Sequence, residues 1–156
     1  HSVWCFEIQY ICFLLYRTQP IEIFINEFIS NKNIFLKMFN IDKNILINIC
    51  KNTIEMFEKM HKDPLKRIEL ITKKFYKTWD NYSLSMMFLK NFNVVLKNFT
   101  KKKYPKFYST FIKTILFKNI NINPNDRLSI SQSLQLFNNL ISNLNGNDLQ
   151  KLYKIC

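Results

Sequence analysis

One glycine, Gly146, stands in a chain of 156 residues, and no other feature narrows the possibilities as far. A residue without Cβ is needed wherever backbone wraps a phosphate or takes a left-handed conformation. A Walker A loop and a dinucleotide-binding fingerprint each need at least two glycines, as does a glycine-rich ATP-covering loop. None of these loops exists here. Asn145-Gly146 does not separate two alternating apolar runs, as a hairpin turn would. It follows a helical pattern, where glycine serves as a C-cap.

Helical spacing dominates the rest, and 47% hydrophobic residues suffice for a real core. The spacing predicts a helix from Val3 to Arg17, broken at Pro20. A second follows from Pro20 towards Ser30, with Ile21, Phe24, Ile25 and Phe28 on one face. Asp42 is a good N-cap for a third, along which Ile45, Ile49, Met56 and Met60 recur. Asp63-Pro64 opens a fourth, with Leu65, Ile68, Ile71 and Phe75 inward and lysines outward. Asp80 to Phe92 reads as an apolar helix. The basic stretch Lys101–Pro105 interrupts the pattern before Phe107, Phe111, Ile112, Ile115 and Leu116. Asn123-Pro124-Asn125-Asp126 is a turn by its chemistry. Ser129 and Gln132 then form a capping box for a last helix lined by Ile130, Leu134, Phe137, Leu140, Ile141 and Leu144. The expected fold class is all-α, over 1–156. The chain begins at His1 with the apolar Val3-Trp4-Cys5-Phe6, which reads as a start inside a longer protein.

The net charge of +12 invites a nucleic-acid partner. Yet Arg17, Arg67 and Arg127 are the only arginines, and bidentate phosphate readers favour arginine. Lys, Asn, Ile and Phe dominate and alanine is absent, so A/T-rich codons account for the lysines. Nucleic acid is a possible partner, not the favoured one. Cys5, Cys12, Cys50 and Cys156 form no C-x-x-C pair, and His1 and His61 lack metal-site spacing. Free thiols are expected, with no metal site. Ile8–Tyr16 is too short to span a bilayer, so no membrane partner is expected.

Three stretches carry a resemblance. Asn123 to Ile130 places a polar residue, Pro, two polar residues, Arg and a small cap before a helix. Asp80-Asn81-Tyr82-Ser83-Leu84-Ser85 follows the pattern Asp, any residue, aromatic, Ser, apolar, Gly, with Ser85 in place of the glycine. Cys5-Phe6-Glu7 shares only its Glu with the pattern Ala-Pro-Glu. In this order they resemble the distal C-lobe of the eukaryotic-type protein kinases, from the end of the activation segment to the last helix. The resemblance covers mainly Thr78 to Leu144 plus the first helix. It implies that Glu7 pairs with Arg127, that Asp80 accepts backbone N–H groups of a catalytic loop, and that 20–77 is a helical insert between kinase-like parts, the later being 78–144. Ser85 suggests looser packing than the family's glycine. Inserts of that size fit divergent kinases, including those of large DNA viruses with A/T-rich genomes.

The family's His-Arg-Asp loop, Asp-Phe-Gly metal site and β3 lysine have no counterpart here. No residue is therefore named as catalytic, cofactor-binding or metal-binding, and Glu7, Asp80 and Arg127 are structural. ATP and Mg belong to the intact parent, a Ser/Thr-type kinase within the cell, or in the host cytoplasm if viral. Its partners would be the N-terminal remainder of the kinase and a protein substrate. Two other readings stand: a pseudokinase parent, or a non-catalytic basic helical module binding protein or nucleic acid through Lys101, Lys102, Lys103 and Lys106.

Overall fold

Residues 4–16, 19–31, 41–98 and 106–144 are described by the structure, a computed structural model, with 93–98 and 106 as backbone only. Every regular element among them is helical. α1 is Phe6–Tyr16 and α2 is Ile21–Ser30. α3 is Lys43–Glu58 and α4 is Pro64–Phe75. A 3-10 turn at Tyr76–Thr78 leads into α5, Trp79–Asn98. α6 (Lys106–Phe111) continues through a π-helical segment, Ile112–Leu116, into a last α-helical turn, Phe117–Asn119. A 3-10 turn at Pro124–Asp126 precedes α7, Ile130–Ser142. No described helix is long and apolar enough to cross a membrane.

The helix starts follow from local side-chain chemistry. Asp42 accepts the Asn44 N–H at 2.7 Å ahead of α3, and Asp63 accepts that of Leu65 at 2.8 Å ahead of α4. Ser129 and Gln132 close the capping box of α7, at 3.1 and 2.8 Å. Each such cap satisfies backbone donors that have no intrahelical acceptor, for about 1 kcal/mol. α5 extends past the expected Phe92, to Asn98. The Val3 and Arg17 ends, the Gly146 cap, Lys101–Lys103 and Cys156 lie outside the described residues.

The chain divides into two compact units, His1–Trp79 with Ile122–Asn125, and Asp80–Asn121 with Asp126–Cys156. The first is built on aromatic rings. Phe6 meets Phe28 edge-on at 4.8 Å between centroids, and Tyr10 stacks on Phe57 at 5.5 Å. Phe24 and Phe28 face inward from α2 as expected, with Ile25. Of the recurring residues, Ile49, Met56 and Met60 pack against the core of this unit and Ile45 does not, while the deepest positions of α3 are others. Its buried residues are Cys50, Thr53, Ile54 and Phe57, while Ile45 is exposed and Ile49, Met56 and Met60 are half-buried. Phe57 centres the buried face, since it packs on both Tyr10 and Phe75. Burying one such ring stabilises by about 1.5–3 kcal/mol, more than the methionines recover at the edge. α4 buries Ile71 and Phe75 as expected, but Leu65 is exposed and Arg67 is buried.

The second unit buries Tyr82, Met86 and Leu89 of α5 and Phe111, Ile112, Ile115 and Leu116 of the α6 run, the latter as expected. The π-helical geometry of 112–116 was not expected. α7 carries no fully buried residue. Its half-buried side chains are Ser133, Leu136, Phe137 and Leu140, with Leu144 half-buried beyond its end, whereas Ile130, Leu134 and Ile141 are exposed. The expected face is thus turned partly to the outside.

Candidate functional site

Glu7 comes from the first turn of α1, with no exposed surface. Such a carboxylate is tolerated only when donors reach it. Trp79 supplies one, its indole Nε1–H donating to Glu7 Oε1 at 3.2 Å. Sequence reasoning had singled out Glu7 and the segment around Trp79 separately. The structure brings them together within the first unit.

Arg127 is buried in the second unit, 7% exposed. Its Nε donates to the Asn121 carbonyl at 2.7 Å, and its guanidinium lies 4.7 Å over the Tyr82 ring. A buried cation over an aromatic face gains about 1–2 kcal/mol. Asn81 Nδ2 donates to the Leu128 carbonyl at 3.5 Å. Two stretches, Asp80–Ser85 and Asn123–Ile130, therefore meet through Arg127 on Tyr82 and Asn81 on Leu128. Asp80 itself is exposed in the first turn of α5, where a carboxylate favours the positive end of the helix dipole.

Ser85 is not loosely packed. It is 3% exposed, and its hydroxyl accepts from Asn119 Nδ2 at 3.2 Å. Ser133 Oγ donates to Asn119 Oδ1 at 3.2 Å, and Asn81 Nδ2 donates to Ser133 Oγ at 3.1 Å. This chain of amides and hydroxyls links α5, the α6 run and α7, and each bond polarises the next. No sequence signal marked Asn119 or Ser133, because single polar residues on apolar helices do not announce their partners.

Arg67 was also missed as a site residue. Its Nε donates to the His61 carbonyl at 3.0 Å, Nη1 to the Tyr10 hydroxyl at 3.2 Å, and Nη2 to the Lys62 carbonyl at 3.3 Å. Glu58 is 4.0 Å away but 55% exposed, so that ion pair is the weaker part of the arrangement. The signal was available: an Arg one turn after the Asp63 cap, among lysines, can reach back to the carbonyls of the preceding turn. A cavity of about 610 Å³ lies beside Arg67, walled by Phe13, Ile25 and Ile54 and edged by Glu22, Glu55 and Lys51.

Cys5, Cys12 and Cys50 take part in no disulfide. Burial pushes the Cys50 thiol up to about 12, so it is not a nucleophile near neutrality. His61 accepts the Asp63 N–H through Nδ1 at 2.9 Å, a turn-forming role. The N–H groups of Leu65 and Lys66 hold the Asp63 carboxyl below the usual range. Among the described residues no three His, Cys, Asp or Glu side chains converge. The lysine stripe expected at Lys101–Lys103 and Lys106 falls outside the described side chains. No protein-family model, no curated protein and no solved structure matches this chain.

Proposed function

We propose that this chain is the distal C-lobe of a divergent eukaryotic-type protein kinase, whose parent transfers the γ-phosphate of ATP to a protein Ser or Thr. In this reading Glu7 and Arg127 form the ion pair that fastens the activation segment. Asp80, exposed at the head of α5, receives the backbone N–H groups of a catalytic loop belonging to the N-terminal remainder. ATP and Mg bind in that remainder, and 20–77 is a helical insert. The parent acts within the cell, in the host cytoplasm if it is viral.

One observation carries the reading. The guanidinium of Arg127 rests on the ring of Tyr82, joining two kinase-like stretches 45 residues apart in the chain. Residues chosen only for their motif positions are in contact, as parts of one scaffold should be. The bond from Trp79, the residue before the Asp80 stretch, to Glu7 adds support.

The first test is to read the gene upstream of His1 in frame. His-Arg-Asp with a following Asn, then Asp-Phe-Gly, is expected; a stop codon close upstream overturns the proposal. The purified 156-residue chain is expected neither to bind ATP nor to transfer phosphate. For the ion pair, the double-mutant cycle of Glu7→Gln and Arg127→Met should give a coupling of about 1–3 kcal/mol. A coupling near zero removes the pair.

An apolar groove in the second unit, lined by Leu84, Phe88, Phe111, Ile130, Leu134 and Phe137, favours a second reading, a non-catalytic helical interaction module. An in-frame stop upstream of His1 would leave that reading in place.

A further inference from the structure

We propose that the cavity beside Arg67 binds a small apolar α-amino amide: an ammonium group next to a neutral carbonyl, carried on an apolar side chain. The inference does not rest on the kinase reading. The cavity lies wholly within the first unit and measures about 610 Å³, within the size range of small-molecule pockets. α1, α2, α3 and α4 all contribute to it, so the packing of helices, not a loop, sets its shape. One part of its lining is apolar, from Phe13, Ile25 and Ile54.

Arg67 supplies the hydrogen-bonding group. Its side chain is only 9% exposed, and it lines the cavity. A guanidinium has five N–H groups. Three of them are spent on the His61 and Lys62 carbonyls and the Tyr10 hydroxyl. No acceptor among the described residues takes the other two, since Glu58 stands 4.0 Å off, beyond hydrogen-bond reach. An acceptor that enters the cavity gains a charge-assisted hydrogen bond there. The surrounding charges decide which acceptor. Glu22, Glu55 and Glu58 line the cavity against Lys51 and Arg67, which leaves one negative charge in excess. That excess repels a free carboxylate but not a neutral carbonyl. Glu22 and Glu55 are exposed and make no ion pair among the described residues, so both are open to an ammonium group. An ammonium beside a carbonyl, on an apolar side chain, meets all three parts of the lining at once. A free amino amide and the amino end of a peptide share that chemistry.

Titration of the isotope-labelled 156-residue chain with L-leucinamide, followed by NMR, tests this directly. Saturable shifts are expected at Ile25, Ile54 and the Arg67 Nε–H. Three further probes each lack one group. Isoamylamine lacks the carbonyl and should bind at least about tenfold more weakly, having no acceptor for a buried charged donor. Glycinamide lacks the apolar side chain and should lose about tenfold. Isocaproamide lacks the ammonium and should lose about fivefold. Glu22→Gln combined with Glu55→Gln, both at exposed positions, should weaken L-leucinamide by about fivefold and leave isocaproamide unchanged. Glu69→Gln, exposed on α4 and outside the lining, should change neither. Leucyl-glycinamide separates the two sources: binding as tight as that of L-leucinamide assigns the amino end of a peptide, and weaker binding assigns a free amino amide. Absence of saturable shifts at the cavity residues overturns the proposal. So does isoamylamine or isocaproamide binding as tightly as L-leucinamide, or a double variant that binds L-leucinamide as the unaltered chain does.

Discussion

The two units use similar residues to opposite ends. In the first, Phe6, Tyr10, Phe57 and Phe75 are all at most 3% exposed, and these rings centre the buried faces of α1, α3 and α4. In the second, α5, the α6 run and α7 are tied by the polar chain of Asn81, Ser133, Asn119 and Ser85, while Leu84, Met87, Leu134 and Ile141 stay outside. Dispersion and burial are non-directional, so an aromatic core tolerates many neighbours but demands volume. Hydrogen bonds are directional, so a polar chain running beside an apolar core demands particular partners.

Substitutions can break that contrast, and Phe57→Ala should have the largest effect. It removes a ring packed on Tyr10 and Phe75 and should cost about 3–5 kcal/mol. Trp4 and Trp79 are the only tryptophans and both lie in the first unit, so tryptophan fluorescence in urea reads this loss locally. Arg67→Ala should cost about 2–4 kcal/mol by the same measurement, because it strands the His61 and Lys62 carbonyls and the Tyr10 hydroxyl. Arg67→Lys should recover only part, since an ammonium lacks the fork that reaches all three acceptors.

Asn119→Ala probes the other unit, and about 1–3 kcal/mol is expected for leaving Ser85 and Ser133 without their amide. The contrast fails if this change costs more than Phe57→Ala, since aromatic packing would then not be the stronger constraint. Ser129→Ala should cost about 1 kcal/mol through the capping box of α7. Tyrosine ellipticity near 280 nm follows both, as the second unit has no tryptophan.

The smallest effects are pH-dependent and confined to the first unit. Cys50 is raised from 9.0 to about 12 in the folded chain. Its contribution is therefore complete below the unfolded value and is lost as pH rises from about 9 towards 12. Cys50→Ser should remove that alkaline loss. Near neutrality a thiol reagent should modify half-buried Cys12 well before Cys50. The Asp63 carboxyl is lowered from 3.8 by the N–H groups of Leu65 and Lys66. What it contributes is present above that unfolded value and is lost as pH falls through the lower folded one. Asp63→Asn should abolish this acid-side loss in fluorescence-detected unfolding at graded pH.

By itself the sequence determined the helical class, the absence of glycine-rich phosphate loops, and the helix starts at Asp42, Asp63 and Ser129. These are local matters, settled by a side chain and a backbone group within three residues of each other. The buried faces of α2 and the α6 run were also readable, because their apolar residues fall on one stripe. Only the tertiary structure decided which residues of α3 and α7 lie deepest, the burial of Arg67, and the joining of Asn81, Ser133, Asn119 and Ser85. The apolar residues of α3 and α7 are spread around the helix, so which of them turn inward depends on the neighbour that offers the best-fitting volume. Asn119 is buried because distant segments supply its hydrogen-bond partners, and Arg67 adds the distant Tyr10 hydroxyl to two carbonyls of the preceding turn; sequence spacing carries no record of which distant hydroxyl will be within reach.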